Sequence, residues 1–312
     1  MPEPKDKYKL KNWKEYNTSL IQRGSLTIWL DKNTLRRWRE CSYQDKVVGE
    51  KQYTDDIIEL CLTLRYLYKL KLRQSTGFLA SVFELMGIND IQVPDYTTVS
   101  RRAQHLSITL DPISSGEAVN IAIDSTGLKV YGEGEWKVRK HGAGKRRTWQ
   151  KLHLGVDTET QQIICAKLTT NAIDDGEVVE DLLAPIETVG EFYGDGAYDK
   201  YKSRKAVKKK GGVNIVPPQK NGVKTKVKEP TLAHLERFDT LDRIEEIGRE
   251  EWKKESGYHQ RSLSETAMFR YKTIIGNTLL SRKFDSQVTE VMIGCKVLNK
   301  FNGIGMPNSF KI

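Results

Sequence analysis

Tyr258, Arg261, Glu265 and Lys272 follow the spacing Y-x2-R-x3-E-x6-K, and Asp124 and Asp195 each stand at the end of a short apolar, strand-like run. At about 100° per residue the four C-terminal side chains fall within an arc of about 60°. A helix over this segment therefore presents a phenol, two cations and a carboxylate on one face, which suits a polyphosphate. Cleaving a phosphodiester requires a deprotonated water and a neutralised leaving oxygen, and two divalent cations about 3.5–4 Å apart supply both. Hard cations such as Mg2+ take oxygen ligands. Asp124, Asp195 and Glu265 are three carboxylates able to provide them, and Gly194 and Gly196 around Asp195 would let a metal or phosphate approach the backbone.

Each of these residues also has a plainer reading. Asp124-Ser125-Thr126-Gly127 is compatible with a hairpin turn, and Gly194-Asp195-Gly196 with another. Ser262-Leu263-Ser264-Glu265 fits a capping box, which would make Glu265 a helix-start residue and leave Tyr258 outside the helix.

The chain around them has 312 residues, 38% of them apolar, enough for two folded domains and a sizeable core. Lys and Arg outnumber Asp and Glu by 51 to 41, a formal charge of +10 that favours a polyanionic partner. No apolar run reaches the roughly 18 residues of a membrane span, and the Lys-rich N-terminus lacks the apolar stretch of a signal peptide. No membrane association is expected. Cys41, Cys61, Cys165 and Cys295 are widely spaced, without a CxxC pair or a His at zinc spacing, and read as buried or incidental thiols in a reducing cytoplasm.

Two kinds of pattern must position the acids. Thr54 opens a helix on which Ile57, Ile58, Cys61, Leu64 and Tyr68 recur at helical spacing. Phe78 to Met86 forms a second helix closed by Gly87, and Pro94-Asp95 leads into a third, short helix carrying Thr97, Thr98, Arg101 and Arg102. The last two resemble a helix-turn-helix that presents Arg101 and Arg102 to a DNA groove or its phosphates. After Ser114-Ser115-Gly116 the pattern turns to strands at residues 119–123, 151–156 and 163–168. A helix at 177–186, a strand at 191–194, a basic helix at 200–210 and a strand at 213–216 follow. Three strands and then alternating helices and strands fit an α/β fold with a ribonuclease-H-like mixed sheet and flanking helices, preceded by an all-helical domain. The expected division is a helical DNA-binding domain at 1–115, a catalytic domain at 116–300 with an inserted loop and helix around 220–250, and a tail at 301–312.

Charge is concentrated in two further places. Lys137, Arg139, Lys140, His141, Lys145, Arg146, Arg147 and Lys151 crowd the segment after the first aspartate, which either is a solvated hairpin or brings Arg146 and Arg147 near the scissile DNA. Lys200, Lys202, Arg204, Lys205, Lys208, Lys209 and Lys210 form a second run, a solvated helix face or a DNA track. His153 and His141 suit packing or phosphate contacts better than Mg2+ ligation.

Taken together, the segments IDSTG, Trp149-Gln150-Lys151-Leu152-His153 with Val156-Asp157, GDGAYD and the Y-x2-R-x3-E-x6-K spacing resemble a DDE transposase of a bacterial insertion sequence, in the insertion-sequence-five group. RGSLTIWLD (Arg23 to Asp31), LRQSTGF and PDYTTVSRR extend the resemblance, which runs from about residue 20 to 300. It implies that Asp124, Asp195 and Glu265 are catalytic and hold two Mg2+ ions per active site, with Mn2+ as a substitute. It further implies that Arg261 and Lys272 contact DNA phosphate and that Tyr258 shapes the same surface. The implied partners are double-stranded DNA, both terminal inverted repeats and target, and further copies of the chain in a homodimer or higher assembly. The implied setting is the prokaryotic cytoplasm, associated with the nucleoid. Two other readings stand beside it. One is a catalytically silent, transposase-derived DNA-binding regulator. The other is a phosphatase of haloacid-dehalogenase type, whose GDGxxD motif GDGAYD also fits, although the residue two after Asp124 is Thr126 rather than a second aspartate.

Overall fold

The computed structural model describes residues 8–43, 53–110, 118–130 and 149–312. It separates into two units, Met1–Leu106 with Val297–Ile312, and Ser107–Lys296.

In the first unit the apolar period at Ile57, Ile58, Cys61 and Leu64 becomes the buried side of the helix Asp55–Leu67, with Asp55 and Asp56 in its first turn against the helix dipole. Trp38, from the helix Lys32–Tyr43, is fully buried. Its ring meets Phe83 edge-on at 5.1 Å and its indole N–H donates to the Gln92 carbonyl at 3.1 Å. The next helix begins at Leu72 rather than Phe78, because the Gln74 side chain accepts a hydrogen bond from the Lys71 backbone N–H at 3.0 Å and satisfies a donor at the helix start. Gly87 closes it with φ of +67°. Asp95 then caps the short helix Tyr96–Arg102, its Oδ1 accepting from the Thr97 N–H at 2.8 Å.

Residues 301–312, a tail by sequence, are integrated into this first unit. Strand β8 (Ser309–Lys311) pairs antiparallel with β1 (Tyr8–Leu10). Arg23 donates to the Gly305 carbonyl at 2.7 Å and lies 5.5 Å over the Phe301 ring, so it complements the C-terminus of the helix Phe284–Ile304. Trp29 packs on the same Phe301 ring at 6.3 Å. The RGSLTIWLD segment is thus tied to residues almost a chain length away.

The second unit is built on a six-stranded sheet. Its strands are β2 (Val119–Val130), β3 (Trp149–Asp157), β4 (Ile163–Thr170), β5 (Val189–Tyr193), β6 (Val213–Ile215) and β7 (Thr278–Leu279). They run in the order β4-β3-β2-β5-β6, with β7 beside the far end of β2. The pairs β2–β3 and β3–β4 are antiparallel, whereas β2–β5 and β5–β6 are parallel. Three antiparallel strands continued by two parallel ones on the other side of the first form a ribonuclease-H-like mixed sheet.

Side chains alternate across it. Ile121, Ile123 and Phe192 join Val179, Leu182 and Val207 on one face, beneath the helices Val179–Leu182 and Tyr201–Lys209. Ala122, Tyr193 and Ile215 lie on the other with Trp252, Ile244, Ile247 and Tyr258. Asp124 follows Ala122 in register, opposite Leu154 of β3. The helix expected over 177–186 is shorter, a 3-10 turn Asp175–Glu177 followed by Val179–Leu182. The segment around 220–250 supplies the helix Leu232–Ile247, and Gly248 at φ of +84° turns the chain into Arg249–Glu255.

The expectation of one helix from Tyr258 to Lys272 is corrected. Gly257 adopts the left-handed conformation, Tyr258–Arg261 is a 3-10 turn, and the α-helix runs from Ser262 to Ile274. Tyr258 therefore lies outside the helix and Glu265 in its first turn, as the capping-box alternative has it, though no side-chain cap bond forms there. The 3-10 winding stacks i and i+3 residues directly. Accordingly the Arg261 guanidinium sits over the Tyr258 ring, 5.8 Å from its centroid.

Candidate active site

Strand β2 delivers Asp124 half-buried at the sheet surface, its Oδ1 accepting from the Ser125 N–H at 2.8 Å. Its Oδ2 lies 3.4 Å from Arg261 Nη1, and Arg261 Nη2 pairs with Glu265. One guanidinium therefore bridges two carboxylates whose parent elements are more than 130 residues apart. Asp195 leaves the end of β5 and caps the 3-10 turn Gly196–Tyr198, its Oδ1 accepting from the Ala197 N–H at 2.8 Å. Gly194 lets the Tyr198 ring pack close, since a side chain there would begin 3.0 Å from it.

Electrostatics ties the three acids to one neighbourhood. Burial raises the Asp124 pKa above the usual carboxylate range; the Ser125 N–H and Arg261 oppose this, while Asp195 and Glu265 both add to it. The Tyr258 hydroxyl is raised by burial too, with Arg261 opposing and Asp195, Glu265 and Asp124 adding. Asp124 thus senses the other two acids, and Tyr258 senses all three. Among the described residues no three His, Cys, Asp or Glu side chains stand close enough together to hold a metal ion. As a donor set three carboxylates suit a hard divalent cation; in placement, Arg261 takes the position between Asp124 and Glu265.

The other sequence-selected residues fall differently. Lys272 is exposed in the last turn of the Ser262–Ile274 helix. In the first unit Arg101 is exposed, whereas Arg102 donates to the Tyr53 carbonyl at 2.8 Å and pairs with Asp55, an internal tie. Arg146 and Arg147 lie outside the described residues. The basic run at 200–210 is mostly engaged within its own unit. Lys200 pairs with Asp174, Lys208 with Glu236 and Lys209 with Glu180, Lys210 donates to the Ile186 carbonyl, and Arg204 is buried. Lys202 and Lys205 are exposed.

His153 is a packing residue. It is fully buried, hydrogen-bonded to Thr169 Oγ1 at 2.9 Å, and burial pushes its pKa down to about 4 against the upward pull of Asp175. The unfolded imidazole takes up a proton near pH 6.5 and the folded one does not. Stability contributed by neutral His153 is therefore complete above pH 6.5 and is lost as the pH falls from 6.5 toward 4, by on the order of 3 kcal/mol. Urea unfolding at pH 7 and pH 4.5 is expected to show this loss, and His153→Asn to flatten it. Cys61 and Cys165 are likewise buried, their thiols pushed up to about 12, and inert on that account.

Two family models described as transposase DDE domain match the chain, one over residues 21–133 and the other over 116–300. The chain belongs to the transposase DDE family. Two solved structures are similar to it: piggyBac transposase in a synaptic complex with hairpin DNA, seen by cryo-EM, and the Drosophila P element transposase strand transfer complex. The first has 11% identity and a TM-score of 0.41, covering 91% of this chain and 74% of that one. The second has 9% identity and a TM-score of 0.30, covering 91% and 86%.

Asp199 separates the transposase from the phosphatase alternative. A GDGxxD metal motif needs its last aspartate free, and here Asp199 is only 1% exposed, gripped by Arg204 and Arg237. Sequence reading missed this clamp because Arg237 lies on the helix Leu232–Ile247, 38 residues beyond Asp199, with no local pattern linking it to GDGAYD. Among the described residues no helix is long and apolar enough to cross a membrane.

Proposed function

We propose that this transposase binds the terminal inverted repeats of its insertion sequence, cleaves the element ends and joins the freed 3′ hydroxyls to target DNA, with Asp124, Asp195 and Glu265 as the reacting-site carboxylates. The supporting observation is that Arg261 joins Asp124 and Glu265, while Asp195 and Glu265 both bear on Asp124 and all three acids bear on Tyr258, although about 70 residues separate each from the next in sequence. In the first step a water oxygen bonds to phosphorus and the 3′ oxygen leaves with a proton. In the second, that 3′ oxygen bonds to a target phosphorus and gives up its proton, and the target's own 3′ oxygen leaves with a proton.

Although Arg261 stands between Asp124 and Glu265 in this structure, the three carboxylates are the donor set that would take two Mg2+ ions, or Mn2+ in their place, and the ions would activate the attacking oxygen and offset charge on the leaving one. Tyr258 holds the Arg261 guanidinium against its ring, where it can meet a phosphate once DNA arrives. Two ends must be held together, so a homodimer or higher assembly on DNA is part of the proposal, as are the helical domain at 1–115 and the catalytic domain at 116–300 as functional units. The insertion-sequence-five group and a prokaryotic, nucleoid-associated setting complete it. The deciding experiment is Mg2+-dependent nicking of a terminal-repeat duplex. Binding without nicking would favour the silent regulator instead.

Exposed Lys272 is expected to act on phosphate. Lys272→Ala should slow cleavage or joining at saturating DNA and Mg2+ while changing stability by no more than about 0.5 kcal/mol. Early unfolding with full specific activity of the folded fraction would make it architectural.

Arg101 and Arg102 are expected to part company. Arg101→Ala should weaken cognate duplex binding by about 1–3 kcal/mol with an unchanged melting temperature. Arg102→Ala should lower stability by about 1–2 kcal/mol through loss of its ties to Tyr53 and Asp55. Competition binding against random DNA, alongside thermal melts, checks both.

A further inference from the structure

We infer that Arg237, on the inserted helix Leu232–Ile247, is a positioning residue for Asp195, acting through Asp199. The inference rests on Asp195 being a reacting-site carboxylate. Asp195 opens a single 3-10 turn and Asp199 ends it. One turn has no stability of its own, since nucleating a helix fixes several dihedrals for one hydrogen bond. The direction of the Asp195 carboxylate therefore depends on what anchors the far end.

That anchor is unusually complete. Arg237 Nε lies 3.0 and 3.1 Å from the two Asp199 oxygens and its Nη2 lies 3.0 Å from Oδ2, a forked contact, while Arg204 Nε donates to Oδ1 at 2.9 Å. The remaining Arg237 nitrogen, Nη1, donates to the Val223 carbonyl at 2.8 Å, which fixes the guanidinium from behind. Its neighbour Glu236 accepts from both the backbone N–H (3.0 Å) and the side-chain amide (2.6 Å) of Asn214 on β6. The insertion thus grips the last sheet strand and the aspartate turn through two consecutive residues. A fork of this kind fixes direction as well as charge, which a lysine cannot reproduce.

The test compares Arg237→Gln and Arg237→Lys with the full-length wild type. Three measurements are made: amide hydrogen exchange, duplex binding and strand cleavage at saturating DNA and Mg2+. The amides of Ala197 and Tyr198, both bonded to Asp195, are the local reporters. They are expected to exchange at least about tenfold faster in both variants while strand amides of β2 and β3 hold their rates. Cleavage should fall about tenfold or more, with duplex affinity within about twofold, because a small misplacement of a reacting group costs rate before binding. Arg237→Lys keeps a cation opposite Asp199, so it yields a folded protein for the measurement if the glutamine variant unfolds. Unchanged exchange at Ala197 and Tyr198, or cleavage that drops only in proportion to the folded fraction, would overturn the inference. Asp195→Asn is run beside them. If it still cleaves, the assignment of Asp195 has failed, while the exchange data still judge the link from Arg237 to the turn.

Discussion

Asp124→Ala, Asp195→Ala and Glu265→Ala are each expected to reduce strand cleavage by at least about 10³-fold while leaving terminal-repeat affinity within a few-fold. The reason lies in what each carboxylate touches. Asp124 and Glu265 face one guanidinium and, among the described residues, the hydrogen bonds of Asp195 go to its own turn, so none of them supports the hydrophobic core. The melting temperature should therefore hold. The three losses should also fail to add, a double variant being no slower than the worse single one, because residues that act as a unit are lost as a unit. Cleavage of a labelled duplex with Mg2+ and with Mn2+, beside a gel-shift titration, reads both quantities. Substantial cleavage by any single variant would remove that residue from the site.

Four residues beyond Asp195, Asp199→Ala is expected to do the opposite, lowering stability by about 3–5 kcal/mol. Arg204 is fully buried, and burial already works to lower its pKa while Asp199 holds it charged. Without Asp199 that guanidinium keeps its link to the Val216 carbonyl and a distant Glu236 at 3.9 Å, and Arg237 loses its forked partner. An uncompensated buried charge costs several kcal/mol, whereas an exposed pair such as Lys254–Glu251 contributes at most about 1 kcal/mol. For a unit of this size the loss corresponds to a fall in melting temperature of roughly 10 °C. Calorimetry decides it: a shift of under about 2 °C would mean that the clamp is dispensable and that the turn is held by Tyr198 packing on Phe192 alone.

The contrast between Asp195 and Asp199 shows where sequence stops being informative. Alternation at residues 119–123 and 151–156 is a local property of strands, so it exposed the sheet, but the strand continues to Val130 and Asp124 stands inside β2, paired opposite Leu154, rather than at its end or in a hairpin turn. An apolar run also placed Asp195 just beyond β5, whereas Glu265 falls in the first helical turn as the capping-box reading has it, not partway along a helix from Tyr258. Whether residues 258–272 form one helix was decided by Gly257, whose left-handed backbone ends the preceding helix and forces a 3-10 turn. The spacing still brings Tyr258, Arg261 and Glu265 together, through a geometry different from the single helical arc.

Charges were the least legible feature. Arg101 and Arg102 are neighbours of one type, yet one is exposed and the other bonds to Tyr53 and Asp55 nearly 50 residues earlier. The lysines of 200–210 look free in sequence and are mostly paired in the fold, and residues 309–311 find their partner strand at the other end of the chain. Periodicity, capping and glycine conformation act within a few residues, so the chain's own order determines them. The partner of a charge or an edge strand is set by which distant segments the packed core brings alongside, and only the tertiary structure decided that.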